Sequence, residues 1–181
     1  GDVISMAKGS TEVSDMRCLS DTAPRTGGAA TIDSTQRAAG ILLALAGMAF
    51  TNASLGLVHS LAHKIGGEFG VTHGLANAIL LPYIIDFNRK FTKKYEIAEQ
   101  ALGVKDLADE IRRLNKMLGI PATFKDCDEV DFSEAKFTKV LDRMSENALA
   151  DPCTLTNPGK PTVADVKAIY TAAYYGRCKS P

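Results

Sequence analysis

Gly56-Leu57-Val58-His59-Ser60-Leu61-Ala62-His63-Lys64-Ile65-Gly66-Gly67-Glu68-Phe69-Gly70-Val71-Thr72-His73-Gly74 contains every histidine of the chain. His59 and His63 are four residues apart, so on a helix they share one face. The Gly66-Gly67 pair is expected to stop that helix, and Thr72 is a good N-cap for the next. His73 would open the second helix near the positive end of its macrodipole, which favours neutral imidazole. Neutral imidazole is the form that binds divalent metals, and histidine is their commonest protein ligand. A helix, a glycine break and a second helix start can therefore bring His59 and His73 onto one ion. An i, i+4 histidine pair on an apolar helix is also the pattern of two half-buried, hydrogen-bonded rings. Ligand chemistry alone leaves both readings open.

Two other metal chemistries are disfavoured. The zinc-protease pattern fails because Ser60, not a glutamate, follows His59. Cys18, Cys127, Cys153 and Cys178 are scattered with no C-x-x-C pair, so an all-cysteine centre is not expected.

Outward from the histidines the pattern is helical. Helices are expected at about 37–50, 52–66, 73–87, 92–102, 105–118, 132–149 and 162–175. Pro82 falls inside the third, where its ring clashes with the carbonyl of Ala78. Leu107, Ile111, Leu114 and Leu118 recur at helical spacing and are expected to form a buried stripe, ended by Gly119 with Pro121 beyond. Asp131 or Ser133 can cap the sixth helix. Thr162 can cap the seventh, with Asp165 three residues later in the place of a capping-box Glu. The run Ile41 to Phe50 is too short to span a bilayer, and its glycines and alanines suit a packed core helix. Tyr170, Tyr174 and Tyr175 are expected to pack against the domain body. Alternating β-branched runs are absent, so the fold class expected is all-α, a helical bundle.

Composition bounds the rest. A chain of 181 residues has room for one domain with a real core. Its 21 basic residues balance its 21 acidic ones, so no nucleic-acid or membrane-surface partner is expected. Arg89-Lys90 and Lys93-Lys94 read as a solvated turn and helix start, balanced by Glu96 and Glu99. Four unpatterned cysteines without an export signal suggest reduced thiols in a cytoplasm.

Gly47-Met48-Ala49-Phe50-Thr51-Asn52-Ala53-Ser54-Leu55-Gly56-Leu57-Val58-His59, His73-Gly74-Leu75-Ala76-Asn77-Ala78 and Leu81-Pro82 to Asn88 together resemble the iron-dependent (group III) alcohol dehydrogenases. Their signature is G-x2-H-x3-H-x9-H-G followed by a Pro and an Asn. Asp151-Pro152-Cys153-Thr154 and Asn157-Pro158 before a last helix match as well. The resemblance covers about residues 40–177. It looks nearest to the alcohol dehydrogenase part of the bifunctional aldehyde/alcohol dehydrogenases and to butanol-dehydrogenase-like members. It implies the C-terminal helical half of the dehydroquinate synthase-like, iron alcohol dehydrogenase fold. It also implies that His59 and His73 bind the catalytic metal, Fe2+ or Zn2+. By the same resemblance, His63 lies beside the nicotinamide and substrate and can relay a proton, and Phe50 lines that cleft. Residue type alone makes Phe50 ordinary core. The implied reaction converts a small alcohol to an aldehyde with NAD or NADP.

The departures are equally informative. The family's other two metal ligands, an Asp and a His spaced D-x3-H on an earlier helix, have no counterpart, since no histidine precedes His59. No G-x-G-x-x-G follows a strand, so NAD or NADP would be held by a domain this chain lacks. Residues 1–36 resemble nothing in the family and are expected to form a flexible head, with 37–181 as the metal-binding domain. A truncated gene product, a frame-shifted start and an artificial boundary remain open. The alternative to an enzyme is a non-catalytic helical domain with a vestigial histidine site, acting in association. Homo-oligomerisation is left open.

Overall fold

Residues 34–53, 55–128 and 130–176 are described by a computed structural model. The side chains of Thr35 and of residues 49–53 are outside that description, Phe50 among them, and so is most of the expected head. Seven α-helices follow in order among the described residues: α1 Ser34–Ala53, α2 Gly56–Phe69, α3 His73–Asn88, α4 Lys94–Leu102, α5 Leu107–Met117, α6 Glu134–Leu149 and α7 Val163–Tyr175. Two short 3-10 turns, Phe124–Asp126 and Pro152–Thr156, complete the regular structure, and no strand occurs among the described residues. The protein is all-α. Backbone proximity places a boundary between two units inside α1, between Leu43 and Ala44.

In the second unit, α2 packs on α3, α6 and the Pro152–Thr156 turn, while α3 also packs on α5 and α7. The core between them contains Leu57, Leu61 and Ile65 of α2, Leu80 of α3, Phe137 and Met144 of α6, and Tyr170 and Tyr174 of α7. The two buried tyrosines keep their hydroxyls satisfied. Tyr170 donates to the Leu61 carbonyl at 2.8 Å and Tyr174 to the Phe132 carbonyl at 2.6 Å. Tyr175, expected to pack inward with them, is exposed and donates to Glu134 instead.

Several local expectations hold. Thr162 and Asp165 form a reciprocal capping box at the start of α7. Thr72 is the N-cap residue of α3, in extended conformation but without a side-chain cap bond. Pro82 lies inside α3, and the carbonyl it deprives of a helical donor, that of Ala78, accepts from Asn115 Nδ2 at 2.7 Å. A side chain of α5 thus repairs the bond that proline removes from α3.

Three expectations are corrected. Gly66 and Gly67 do not stop α2, which runs through them and ends at Gly70 with φ of 77°. Glycine lowers helix propensity but does not forbid helix, whereas a left-handed cap needs positive φ at one position, and that position is Gly70. The α5 stripe holds only in part: Leu107 and Ile111 are half-buried, Leu114 and Leu118 are exposed, and the fully buried residue is Ala108. On the same helix, Asn115 reaches α3 at Ala78 and Arg112 reaches it at Asp86. Polar anchoring to α3, not the leucine row alone, sets the rotation of α5. Finally, Ile41, Leu42, Leu43, Leu45 and Met48 of α1 are exposed, not core. An apolar run marks surface that is favourable to cover, without supplying what covers it.

Candidate metal centre

His59 and His63 lie on α2, and His73 is the first residue of α3. The turn closed by Gly70 returns the chain so that all three rings meet. Ring centroids are 5.1 Å apart for His59 and His73, 5.4 Å for His63 and His73, and 6.2 Å for His59 and His63. His63 stacks on His73 with an interplanar angle of 19°.

A metal bonded to an imidazole nitrogen at about 2.1 Å sits roughly 3.2 Å from the ring centroid. Two such arms opened to a tetrahedral angle place the centroids about 5.2 Å apart. The His59–His73 separation fits that value. Burial lowers the pKa of both rings. Repulsion from the neighbouring imidazoles adds to it, from His73 and then His63 at His59, and from His63 at His73. Both effects favour the neutral, ligating form. The main cause is burial rather than the helix end alone. The donor set present therefore fits a divalent transition metal, with two imidazoles supplied by this chain.

His63 is held from the other side. Its Nδ1 lies 3.1 Å from Asp151 Oδ2, and Lys64 Nζ reaches the same oxygen at 2.8 Å. Asp151 caps the Pro152–Thr156 turn by accepting from the Cys153 amide at 3.0 Å. Burial alone would raise the Asp151 carboxyl. Lys64, the Cys153 amide and His63 outweigh it and hold the group well below the usual carboxylate range. The Cys153 thiol is pushed up by burial and by Asp151. Ligand atoms of His63, Asp151 and Cys153 all lie within 4.8 Å of one another.

Neither Asp151 nor Cys153 stands out among the expected site residues. The signal was present as D-x-C beside a proline, but only the fold brings it to α2. The Pro152–Thr156 turn runs along α2. Gly56 N–H donates to Thr156 Oγ1 at 3.2 Å, and Thr154 Oγ1, which donates to the Ala148 carbonyl at 2.7 Å, is hydrogen-bonded to Ser60 Oγ at 2.8 Å. Just beyond the turn, Asn157 exchanges two amide hydrogen bonds with Asn88 of α3, each 2.8 Å.

Residues 29–174 match the Fe-containing alcohol dehydrogenase family, C-terminal. The chain belongs to that family.

Its similarity to characterised members is substantial but partial. The NADPH-dependent butanol dehydrogenase of Clostridium saccharobutylicum is 43% identical over 142 residues, covering 73% of this chain and 36% of that protein. The bifunctional aldehyde-alcohol dehydrogenase AdhE of Escherichia coli K12 is 34% identical over 160 residues, covering 74% of this chain and 18% of that one. The iron-containing alcohol dehydrogenase structure from Thermococcus thioreducens superposes with a TM-score of 0.64 at 34% identity, over 73% of this chain and 35% of that one. The chain thus spans about a third of the butanol dehydrogenase and of the Thermococcus enzyme. The fold is that of the iron alcohol dehydrogenase C-terminal domain. No helix among the described residues is long and apolar enough to cross a membrane.

Proposed function

We propose that this chain is the metal-bearing helical part of an alcohol dehydrogenase acting on a small alcohol or aldehyde with NAD or NADP. The observation that carries the reading is the convergence of His59 and His73 at 5.1 Å between ring centroids. In this reading His59 and His73 hold Fe2+ or Zn2+, and residues 37–181 are the metal-binding domain. A divalent metal held there would supply Lewis acidity toward an alcohol oxygen, and a bound nicotinamide would supply the hydride acceptor.

The chain's own residues handle the proton. Asp151 accepts from Nδ1 of His63, which leaves Nε2 as the free acceptor of the ring. His63 then takes a proton from the substrate side and releases it to water, to which its side chain is 39% exposed. Phe50 lines the cleft in this reading.

Metal titration of the 181-residue chain tests the assignment. His59→Ala or His73→Ala abolishes Fe2+ or Zn2+ binding at the two-imidazole site, while His63→Ala retains it. Undiminished binding by His59→Ala would sink the reading.

The 181-residue chain alone turns over no alcohol in an NAD(P)H absorbance assay with added Fe2+ or Zn2+. Holding the nicotinamide against the reacting carbon contributes roughly 7–11 kcal/mol of the barrier, and the Gly-rich segment expected to do so is absent from this sequence. Turnover by the bare chain would overturn that expectation.

A further inference from the structure

His63, Asp151 and Cys153 offer one nitrogen, one oxygen and one sulfur, all within 4.8 Å of one another. The two bonds of Asp151 divide its oxygens cleanly. Oδ1 is occupied by the Cys153 amide, which fixes the carboxylate on its turn. Oδ2 faces α2 and already draws two cationic or donor groups, Lys64 Nζ at 2.8 Å and His63 Nδ1 at 3.1 Å. A metal ion on Oδ2 would replace both with one compact charge. Lys64 can yield, because its flexible stem lets the ammonium return to water.

We propose that His63, Asp151 and Cys153 form a second, thiolate-bearing metal site for a borderline or soft divalent cation such as Zn2+. It is distinct from the His59–His73 pair and does not depend on that assignment. Nitrogen, carboxylate and thiolate donors with an open fourth position are a zinc-type set, and thiolate disfavours Mg2+ and Ca2+. Closure by roughly 1 Å brings the three donors to bonding distances of about 2.0–2.3 Å.

The protons balance. The Sγ–H proton of Cys153 leaves to solvent as the thiolate binds. The Nδ1 proton of His63 is lost to solvent, Nε2 takes one up, and the Nδ1 lone pair faces the ion. Occupation fixes Nδ1 on the Asp151 side and leaves Nε2 protonated, so the ring can no longer accept a proton there. The site is therefore inhibitory toward any proton transfer that His63 performs.

Cobalt reports the sulfur directly. Co2+ titrated into the reduced 181-residue chain is expected to give a near-ultraviolet thiolate-to-cobalt charge-transfer band that saturates at one equivalent for this site. Zn2+ should bleach it. The band should vanish in Cys153→Ser and persist in the His59→Ala/His73→Ala double variant, which separates this site from the imidazole pair. His63→Gln should weaken Co2+ at the band by at least about tenfold. Lys64→Ala should tighten it by up to about fivefold through loss of the competing ion pair. Circular dichroism confirms that each variant is folded. If Cys153→Ser does not fold, the His63→Gln and Lys64→Ala shifts decide. Absence of the band, its survival in Cys153→Ser, or unchanged affinity in His63→Gln would overturn the proposal.

Discussion

Replacing Asn157 by Ala tests whether the turn beside α2 is held by a specific amide pair. Asn157 Nδ2 donates to Asn88 Oδ1 at 2.8 Å, and Asn88 Nδ2 returns a bond to Asn157 Oδ1 at 2.8 Å. Asn157 Nδ2 also donates to the Gly159 carbonyl at 2.9 Å, and its Oδ1 accepts the Leu57 amide at 3.4 Å. The three short bonds contribute about 0.5–1.5 kcal/mol each, net of water. Truncation also leaves Asn88, only 3% exposed, with a buried amide lacking its main partner. The expected loss is about 2–4 kcal/mol. With an m-value of about 2 kcal/mol/M, the urea midpoint falls by about 1–2 M. Asn88→Ala should cost a similar amount. The double variant should cost less than the sum by about 1–3 kcal/mol, because neither single variant can leave the pair intact. A loss under about 1 kcal/mol, or strict additivity, would refute the idea that this pair ties the turn to α3.

Further outcomes follow from other parts of the fold. Asn115→Ala orphans the Ala78 carbonyl and should cost about 1–3 kcal/mol in urea unfolding, whereas exposed Lys116→Ala should change little. Gly70→Ala, at φ of 77°, should destabilise by about 1 kcal/mol; Gly67→Ala, helical and with nothing within 4 Å of its added Cβ, should stabilise by about 0.4–1 kcal/mol. Burial, with Asp151 adding to it, raises the Tyr170 hydroxyl well above its usual value. The unfolded chain therefore loses this proton first, and stability present below about pH 10 declines as pH rises above it. Tyr170→Phe should flatten that alkaline limb in pH-dependent melts, and an unchanged limb would refute the assignment.

Much of the fold is written in local pattern. Periodicity located the helices, and the Thr162/Asp165 box and Pro82 were readable one residue at a time. The errors arose where the outcome depends on partners. Gly66-Gly67 looked like a stop, yet these residues stay helical while Gly70 takes the positive φ. Gly66 also lies against the Val71 carbonyl, where a Cβ would sit at 3.3 Å. The leucine row of α5 was a sound amphipathic signal, but Arg112 and Asn115 decide which face meets α3. The histidines were legible because all three lie within one helix–turn–helix. Asp151 and Cys153 were quoted only as part of a family resemblance. Their partner His63 lies 88 positions away from Asp151, and no local period encodes such a meeting.

That long-range meeting explains why two separate stretches act as one structural unit. The segment from Asp151 to Asn157 touches α2 at three successive heights. It meets Gly56 and Leu57 through Thr156 and Asn157, Ser60 through Thr154, and His63 and Lys64 through Asp151. Those positions advance by about one helical turn at each step, so the segment lies along a single face of α2. It satisfies amide donors at the helix start, where Leu55 offers no side-chain cap, and fixes the rotation of the helix about its axis. The rotation decides where His59 points as well as His63, since both are carried on the same rigid backbone. A histidine site on α2 therefore needs the distant turn even though the turn supplies neither of the two clustered imidazoles on that helix. Moving the turn by loss of Asn157 should displace the His59 and His73 rings relative to each other before it unfolds the core.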